Sequence, residues 1–232
     1  MRSGPGAQAP AARDVPRALA VRVLLPATLL WGVIVGVGLL LADVPENGLN
    51  RTLLDLREPA LNATTMVISE AASTLVVIAT AVVVSGIVWW QTRQWWFAAV
   101  PLIALALEAI VFLTSSAVIG RDRPDVDQLD HAPPTASFPS GHTGAATAVY
   151  VSFALMATRI RNGTVRVTVI VVCALVPVGV AVARVYRGMH HPTDVIAGLA
   201  VGVTCALIAW TWWPTPTRAT TDAPTAGASA AR

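Results

Sequence analysis

Long apolar stretches recur along this chain and constrain its fold more than any other feature. Crossing the hydrocarbon core of a bilayer takes about 20 apolar residues in a helix, each rising about 1.5 Å through a layer about 30 Å thick. Six segments approach that length: Ala18–Ala42, Thr65–Trp90, Trp95–Ile119, Gly144–Thr158, Arg166–Tyr186 and Thr193–Trp213. Hydrocarbon offers no partner to backbone N–H and C=O groups, so such segments must be helices that bond internally. The expectation is an all-α fold: a six-transmembrane-helix bundle over residues 15–213 with its active site at the outer helix ends. Disordered tails are expected at residues 1–14, rich in Gly, Pro and Ala, and 214–232, rich in Thr, Ala and Pro. Only 12% of the 232 residues are charged, about half the share of a soluble domain. Trp89, Trp90, Trp95, Trp96, Trp212 and Trp213 collect at span ends, as interfacial aromatics do. Two GxxxG pairs, Gly32/Gly36 and Gly198/Gly202, suit close helix approach.

All 16 basic residues are Arg. Arg2, Arg13, Arg17, Arg22, Arg93, Arg159, Arg161, Arg166, Arg218 and Arg232 fall to one membrane face. Arg51, Arg57, Arg121, Arg123, Arg184 and Arg187 fall to the other. The richer face is the cytoplasmic one, which puts both termini inside and brings two polar loops together outside. No basic run interleaved with aromatics points to nucleic acid. Cys173 and Cys205 lie within apolar segments and read as packing residues.

Those two loops carry the chemistry. The first contains "IGRDRPDV", where Pro124 stops the preceding helix and Arg123 is suited to grip a phosphoryl group through paired N–H donors. It ends on "PSGHTGAA": Ser140 reads as the N-cap of a new helix. The first amides of that helix, with Gly141 permitting close approach, face the place where anions bind. His142 sits in its first turn. The second loop, "ARVYRGMHHPTD", holds Arg184, His190 and, four residues on, Asp194. A carboxylate so placed can accept from one ring nitrogen and leave the other aimed, which is how a nucleophile or base is positioned. His191 reads as a satisfied loop residue pointing elsewhere. None of His131, His142, His190 and His191 forms the i, i+4 pair of a helical zinc site, so no metal is expected.

Together the elements resemble the signature of the type 2 phosphatidic acid phosphatase family: Lys, six residues, Arg-Pro; then Pro-Ser-Gly-His; then Ser-Arg, five residues, His, three residues, Asp. Arg123-Pro124, Pro139-Ser140-Gly141-His142, Arg184, His190 and Asp194 match in order and spacing. Two positions depart: Ser116 stands where the family has Lys, and Ala183 where it has Ser. The resemblance implies a metal-independent, cofactor-free membrane phosphatase working through a phosphohistidine. His190 would be the nucleophile, oriented by Asp194, with His142 as acid and then base. Arg123, Ser140, Gly141 and Arg184 would hold the phosphoryl oxygens, with Arg121 a further candidate in place of the missing Lys. It also implies a lipid phosphate or diphosphate substrate, such as phosphatidic acid, phosphatidylglycerophosphate or a polyprenyl diphosphate, met at the outer face of the plasma membrane. Two alternatives stand beside it. One is a lipid-phosphate binding or transport protein with a degenerate site; the other is a vanadium-dependent haloperoxidase, whose pocket is similar.

Three further expectations concern the surroundings. Leu49, Leu53 and Leu56 share a helical face, suggesting a short amphipathic helix on the membrane surface. Glu70 is placed to steer an active-site Arg. Glu108 reads as an interhelical residue set too deep in its span for chemistry.

Overall fold

The structure, a computed structural model, describes residues 13–213; segments 1–12 and 214–232, read above as tails, lie outside them. The described residues are all-helical. Their continuous helical runs are α1 (Val15–Leu41), α2 (Gly48–Leu54), α3 (Pro59–Glu70), α4 (Thr74–Thr92), α5 (Trp95–Ile119), α6 (Gly141–Ala157), α7 (Gly163–Tyr186) and α8 (Pro192–Thr211). Five of them, α1, α4, α5, α7 and α8, are long and apolar enough to cross a bilayer. The sixth expected span, α6, has 17 residues, about 26 Å of helix, and is the most enclosed part of the bundle.

Helix α6 is built for enclosure. Its buried positions are mostly small: Gly144, Ala146, Ala148, Ala157, and the hydroxyl residues Thr143, Thr147 and Ser152. Thr147 and Ser152 return their hydroxyls to the carbonyls of Thr143 and Ala148 at 2.6 and 2.7 Å, so no polar atom is left bare against the neighbouring helices. Such a surface lets α8 pack at backbone range. A Cβ on Gly202 would lie 2.5 Å from the Gly144 carbonyl oxygen and collide with Thr147. Of the two GxxxG pairs, therefore, Gly198/Gly202 is the one that packs. Added Cβ atoms at Gly32 and Gly36 would meet nothing within 4 Å.

Around α6 and α8 the core continues through Ile34 of α1, Ala104, Leu107 and Val111 of α5, and Val201 and Ala206 of α8. A second cluster joins Val77 and Ala81 of α4 to Val149 of α6. The outer faces remain apolar: Leu40 and Leu75 are both 81% exposed, which water would penalise and a bilayer does not.

The end of the bundle away from the polar loops is closed by aromatics. The indole Nε1–H of Trp212 donates to the Trp96 carbonyl at 2.9 Å, and the Arg159 guanidinium lies 4.2 Å from the centroid of the Phe97 ring. Cation–π contact and indole hydrogen bonding suit an interface that is half apolar, half wet.

The region between α1 and α4 departs from expectation. The apolar run Thr65–Trp90 is not one helix. It breaks at Ala71–Ser73, where Ser73 turns extended (φ −63°, ψ 150°) before α4 begins. The break frees α3 to pack across α7 and bring Ser69 inside. Helix α2 does form, but only Leu53 of its expected apolar face packs inward, against Ala181, Val185 and Val195. Leu49 and Leu56 stay exposed, and the buried side chain of α2 is Asn50.

Candidate active site

The loop 120–139 and the loop 187–191 leave α5 and α7, which flank α6, at the same end of the bundle and are knitted together by hydrogen bonds. The Ser140 amide donates to the Asp194 carbonyl at 3.0 Å, and the Leu129 amide to the Arg187 carbonyl at 3.0 Å. Arg123 donates from Nη1 to the Met189 carbonyl at 2.8 Å and from Nη2 to the Thr135 carbonyl at 3.2 Å, so its guanidinium is pinned by both loops. Burial draws the Arg123 pKa below its ordinary value, with the charge of Asp194 acting the other way.

His190 is 3% exposed. Its Nδ1 lies 2.8 Å from the Ser137 carbonyl oxygen. A carbonyl only accepts, so Nδ1 carries the proton, and in the neutral ring Nε2 keeps its lone pair. Burial pushes the His190 pKa down to about 4, partly offset by Asp194, which keeps the ring neutral at pH 7. Asn50 fixes the same residue from its other side, donating from Nδ2 to the carbonyls of His190 at 3.1 Å and Val185 at 3.2 Å.

Asp194 does not take the place expected for it. Its Oδ2 is 3.8 Å from His190 Nδ1, beyond a hydrogen bond. Instead the fully buried carboxylate accepts from Arg121 Nη1 at 2.6 Å, Ser137 Oγ at 2.5 Å and the His191 amide at 2.8 Å. His191 Nδ1 is 3.2 Å away. His191 is thus satisfied and off the cavity wall, as expected, and its partner is Asp194 itself, with which it forms a capping box as the N-cap of α8. Asp194 and His190 are linked through Ser137, whose hydroxyl donates to the carboxylate and whose carbonyl accepts from the Nδ1–H of His190. Ser137 and Asn50 are among the residues that sequence reasoning missed; nothing in their local pattern marks them, because both bond to partners far along the chain.

Arg121 and Ser140 also differ from expectation. Arg121 is buried against Asp194, Thr193, Glu46 and the Val44 carbonyl, and its guanidinium is used up there. Ser140 is the N-cap residue of α6, but its hydroxyl is 3.0 Å from that of Thr143 and caps no amide. Ser116 is buried with its hydroxyl unpaired. Arg121, Ser140 and Ser116 all lie off the cavity wall described next.

The residues that do converge are His142, His190, Arg123, Arg184 and Gly141. They line a cavity of about 330 Å³ whose remaining wall, largely from α4 and α5, is mostly apolar. Gly141 is required for packing: a Cβ there would lie 2.8 Å from the Phe112 ring. Arg184 reaches the cavity from the last turn of α7, donating to Ser69 Oγ and Asp130 Oδ2, both at 2.9 Å. Its Ser69 partner corrects the expectation for Glu70, which is exposed. Asp130 also bridges to Arg187. Burial would raise the Asp130 pKa, but the hydrogen bond and charge of Arg187 and the charge of Arg184 bring it below its ordinary value. Two guanidiniums facing two imidazoles make this part of the cavity a host for an anion rather than a cation.

Glu108 packs between helices as expected, with its carboxyl against Gly144, and it also lines the same cavity as His142 and His190. Helix α6 begins low in the bundle, so its first turns pack against the middle of α5. A Cβ on Gly144 would strike the Glu108 carboxyl.

The bundle is apolar-sided, with five helices long and apolar enough to cross a bilayer, and it carries guanidiniums and imidazoles together on the wall of one largely apolar cavity. The chain belongs to the PAP2 superfamily, whose model matches residues 75–218. It is 31% identical over 122 residues to lipid A 1-phosphatase of Rhizobium johnstonii, covering 49% of this chain and 46% of that one. It is 24% identical over 160 residues to phosphatidylglycerophosphatase B of Bacillus subtilis, covering 68% and 78%. The chain therefore spans less than half the length of the first relative and most of the second. Its fold is similar to that of a transmembrane PAP2 type phosphatidylglycerolphosphate phosphatase from Bacillus subtilis (TM-score 0.66, 20% identity, 85% and 94% covered). LpxE of Aquifex aeolicus is similar too (TM-score 0.59, 21% identity, 73% and 97% covered).

Proposed function

We propose that this protein hydrolyses the phosphate monoester of a membrane lipid through a phosphohistidine at His190. The observation that carries the reading is the Nδ1–H donated by His190 to the Ser137 carbonyl, which leaves Nε2 unprotonated beside His142, Arg123 and Arg184. In the first step the Nε2 lone pair attacks phosphorus and the bond to the lipid oxygen breaks, while His142, neutral in the empty site and charged by the proton that the monoanionic ester brings in, passes that proton to the leaving oxygen. In the second step His142 takes a proton from water as the water attacks phosphorus, the N–P bond breaks, and His190 recovers its lone pair. The guanidiniums of Arg123 and Arg184 and the Gly141 amide stabilise the charge on the phosphoryl oxygens. The buried carboxylate of Asp194, 3.8 Å from Nδ1, favours the cationic ring of the intermediate. Since guanidiniums carry the phosphate charge, the reading uses no metal ion.

The largely apolar cavity wall and the two relatives' names, lipid A 1-phosphatase and phosphatidylglycerophosphatase B, support a lipid phosphate substrate. The Arg distribution supports a site on the outer face of the plasma membrane with both termini cytoplasmic. The test is phosphate release from a panel of lipid phosphates in detergent containing EDTA. Wild-type protein turns over, and His190→Ala loses more than about 10³-fold in kcat while keeping its unfolding temperature. Near wild-type turnover by His190→Ala would refute the nucleophile. Lipid-phosphate binding without release by wild type would favour a binding protein instead.

A further inference from the structure

The cavity that holds the phosphate cluster also has an acidic side chain on its wall. Glu108, from the middle of α5, lines it with its carboxyl beside Gly144, while the residue as a whole is 3% exposed. Among the described residues it takes part in no ion pair and in no side-chain hydrogen bond. Its neighbour across the helix interface is Gly144, which offers no side chain. Gly144 is three residues beyond Gly141 on α6, about 4.5 Å along the axis, so the carboxyl lies about one helical turn below the amide that faces the phosphate.

A hydrocarbon chain filling the cavity would cover Glu108 and give its oxygens nothing. A buried acceptor left without a donor is costly. A substrate that carries a hydroxyl or amide N–H at that depth removes the cost. A carboxyl accepts such a bond whether ionised or not. The distance of about one turn matches a hydroxyl on the carbon next to the phosphate-bearing carbon.

We infer that Glu108 is a specificity-determining residue, which accepts a hydrogen bond from a hydroxyl or amide group next to the scissile phosphate and so selects phosphates of polyol or amino-alcohol backbones over those of plain hydrocarbon alcohols. The inference rests on the phosphatase reading of the same site and names its substrate class.

The experiment compares 1-acylglycerol 3-phosphate, which has a C2 hydroxyl, with its 2-deoxy analogue of equal chain length in detergent. Wild type prefers the hydroxylated substrate by roughly tenfold in kcat/KM. Glu108→Leu brings the ratio to about one, and Glu108→Gln, which keeps an acceptor, retains most of it. A ratio unchanged in Glu108→Leu, or a wild type without preference, overturns the inference while leaving the phosphatase reading intact. Phosphate release from neither substrate overturns that reading alone, because a binding arm remains. In it, thermal shifts of His190→Ala are measured with the matching hydroxylated and deoxy phosphonates. Tighter binding of the hydroxylated one that vanishes on adding Glu108→Leu supports the role of Glu108, and equal binding of the two ends it.

Discussion

Arg121→Ala separates a structural cation from a substrate-binding one. Arg121 and Asp194 have side chains 1% and 0% exposed, joined at 2.6 Å. Removing the cation leaves a buried carboxylate with neutral donors only, from Ser137 and His191. Breaking a buried pair from one side costs about 3–5 kcal/mol. For a domain of this size each kcal/mol moves the midpoint by about 2–4 °C, so Tm in detergent should fall by about 6–20 °C. Arg123→Ala should behave differently. Its guanidinium lines the cavity, and losing a charged hydrogen bond to phosphate, at about 1.5–3 kcal/mol, raises KM by about 10- to 150-fold with a small change in Tm. The assays are thermal unfolding followed by tryptophan fluorescence, and steady-state phosphate release corrected for folded fraction. If Arg121→Ala keeps the wild-type Tm but raises KM as Arg123→Ala does, Arg121 contacts substrate and the geometry derived above is wrong.

Two further outcomes follow from the structure. His190 has its folded pKa depressed to about 4 by burial, against about 6.5 for a free imidazole. Between those values the unfolded chain binds more protons than the folded one. The stability linked to His190 is therefore fully present above about pH 6.5 and is lost as pH falls toward 4. Chemical denaturation of wild type and His190→Gln from pH 7.5 to 4.5 should show a steeper loss in wild type, and parallel curves would contradict the burial argument. In the second, Gly202→Ala forces a methyl into the Gly144 carbonyl and Thr147 and should destabilise by about 1–3 kcal/mol, whereas Gly36→Ala, with open space around it, should change stability by less than about 0.5 kcal/mol. Equal effects in thermal unfolding would mean that α6 and α8 do not touch as described.

Much of this molecule is legible in one dimension. Apolar length alone dictates helices, because a backbone in hydrocarbon must bond to itself. The site residues that line the cavity, His142, His190, Arg123, Arg184 and Gly141, all sit in the short polar motifs, where charge among apolar runs makes them conspicuous. Partners of those residues are not legible. Asn50 and Ser137 contact His190 from 140 and 53 residues away, and a hydrogen bond between distant segments leaves no local periodicity to read. The same holds for Arg121. Its neighbours in the chain fit a phosphate ligand as well as a structural cation, and only the packed position of Asp194 selects between them. The break at Ser73 is hidden for a related reason: hydropathy averages over a window and does not register a single residue turning extended. Glu108 shows the limit most plainly. Counting turns along α5 measures depth within one helix, but distance to the site depends on how low α6 starts beside it. Local chemistry thus suffices for element type and for which side chains are reactive, because those depend on neighbours a few residues apart. Which atoms meet is set by long-range packing, where small residues such as Gly144 and Gly202 let whole helices close to backbone contact.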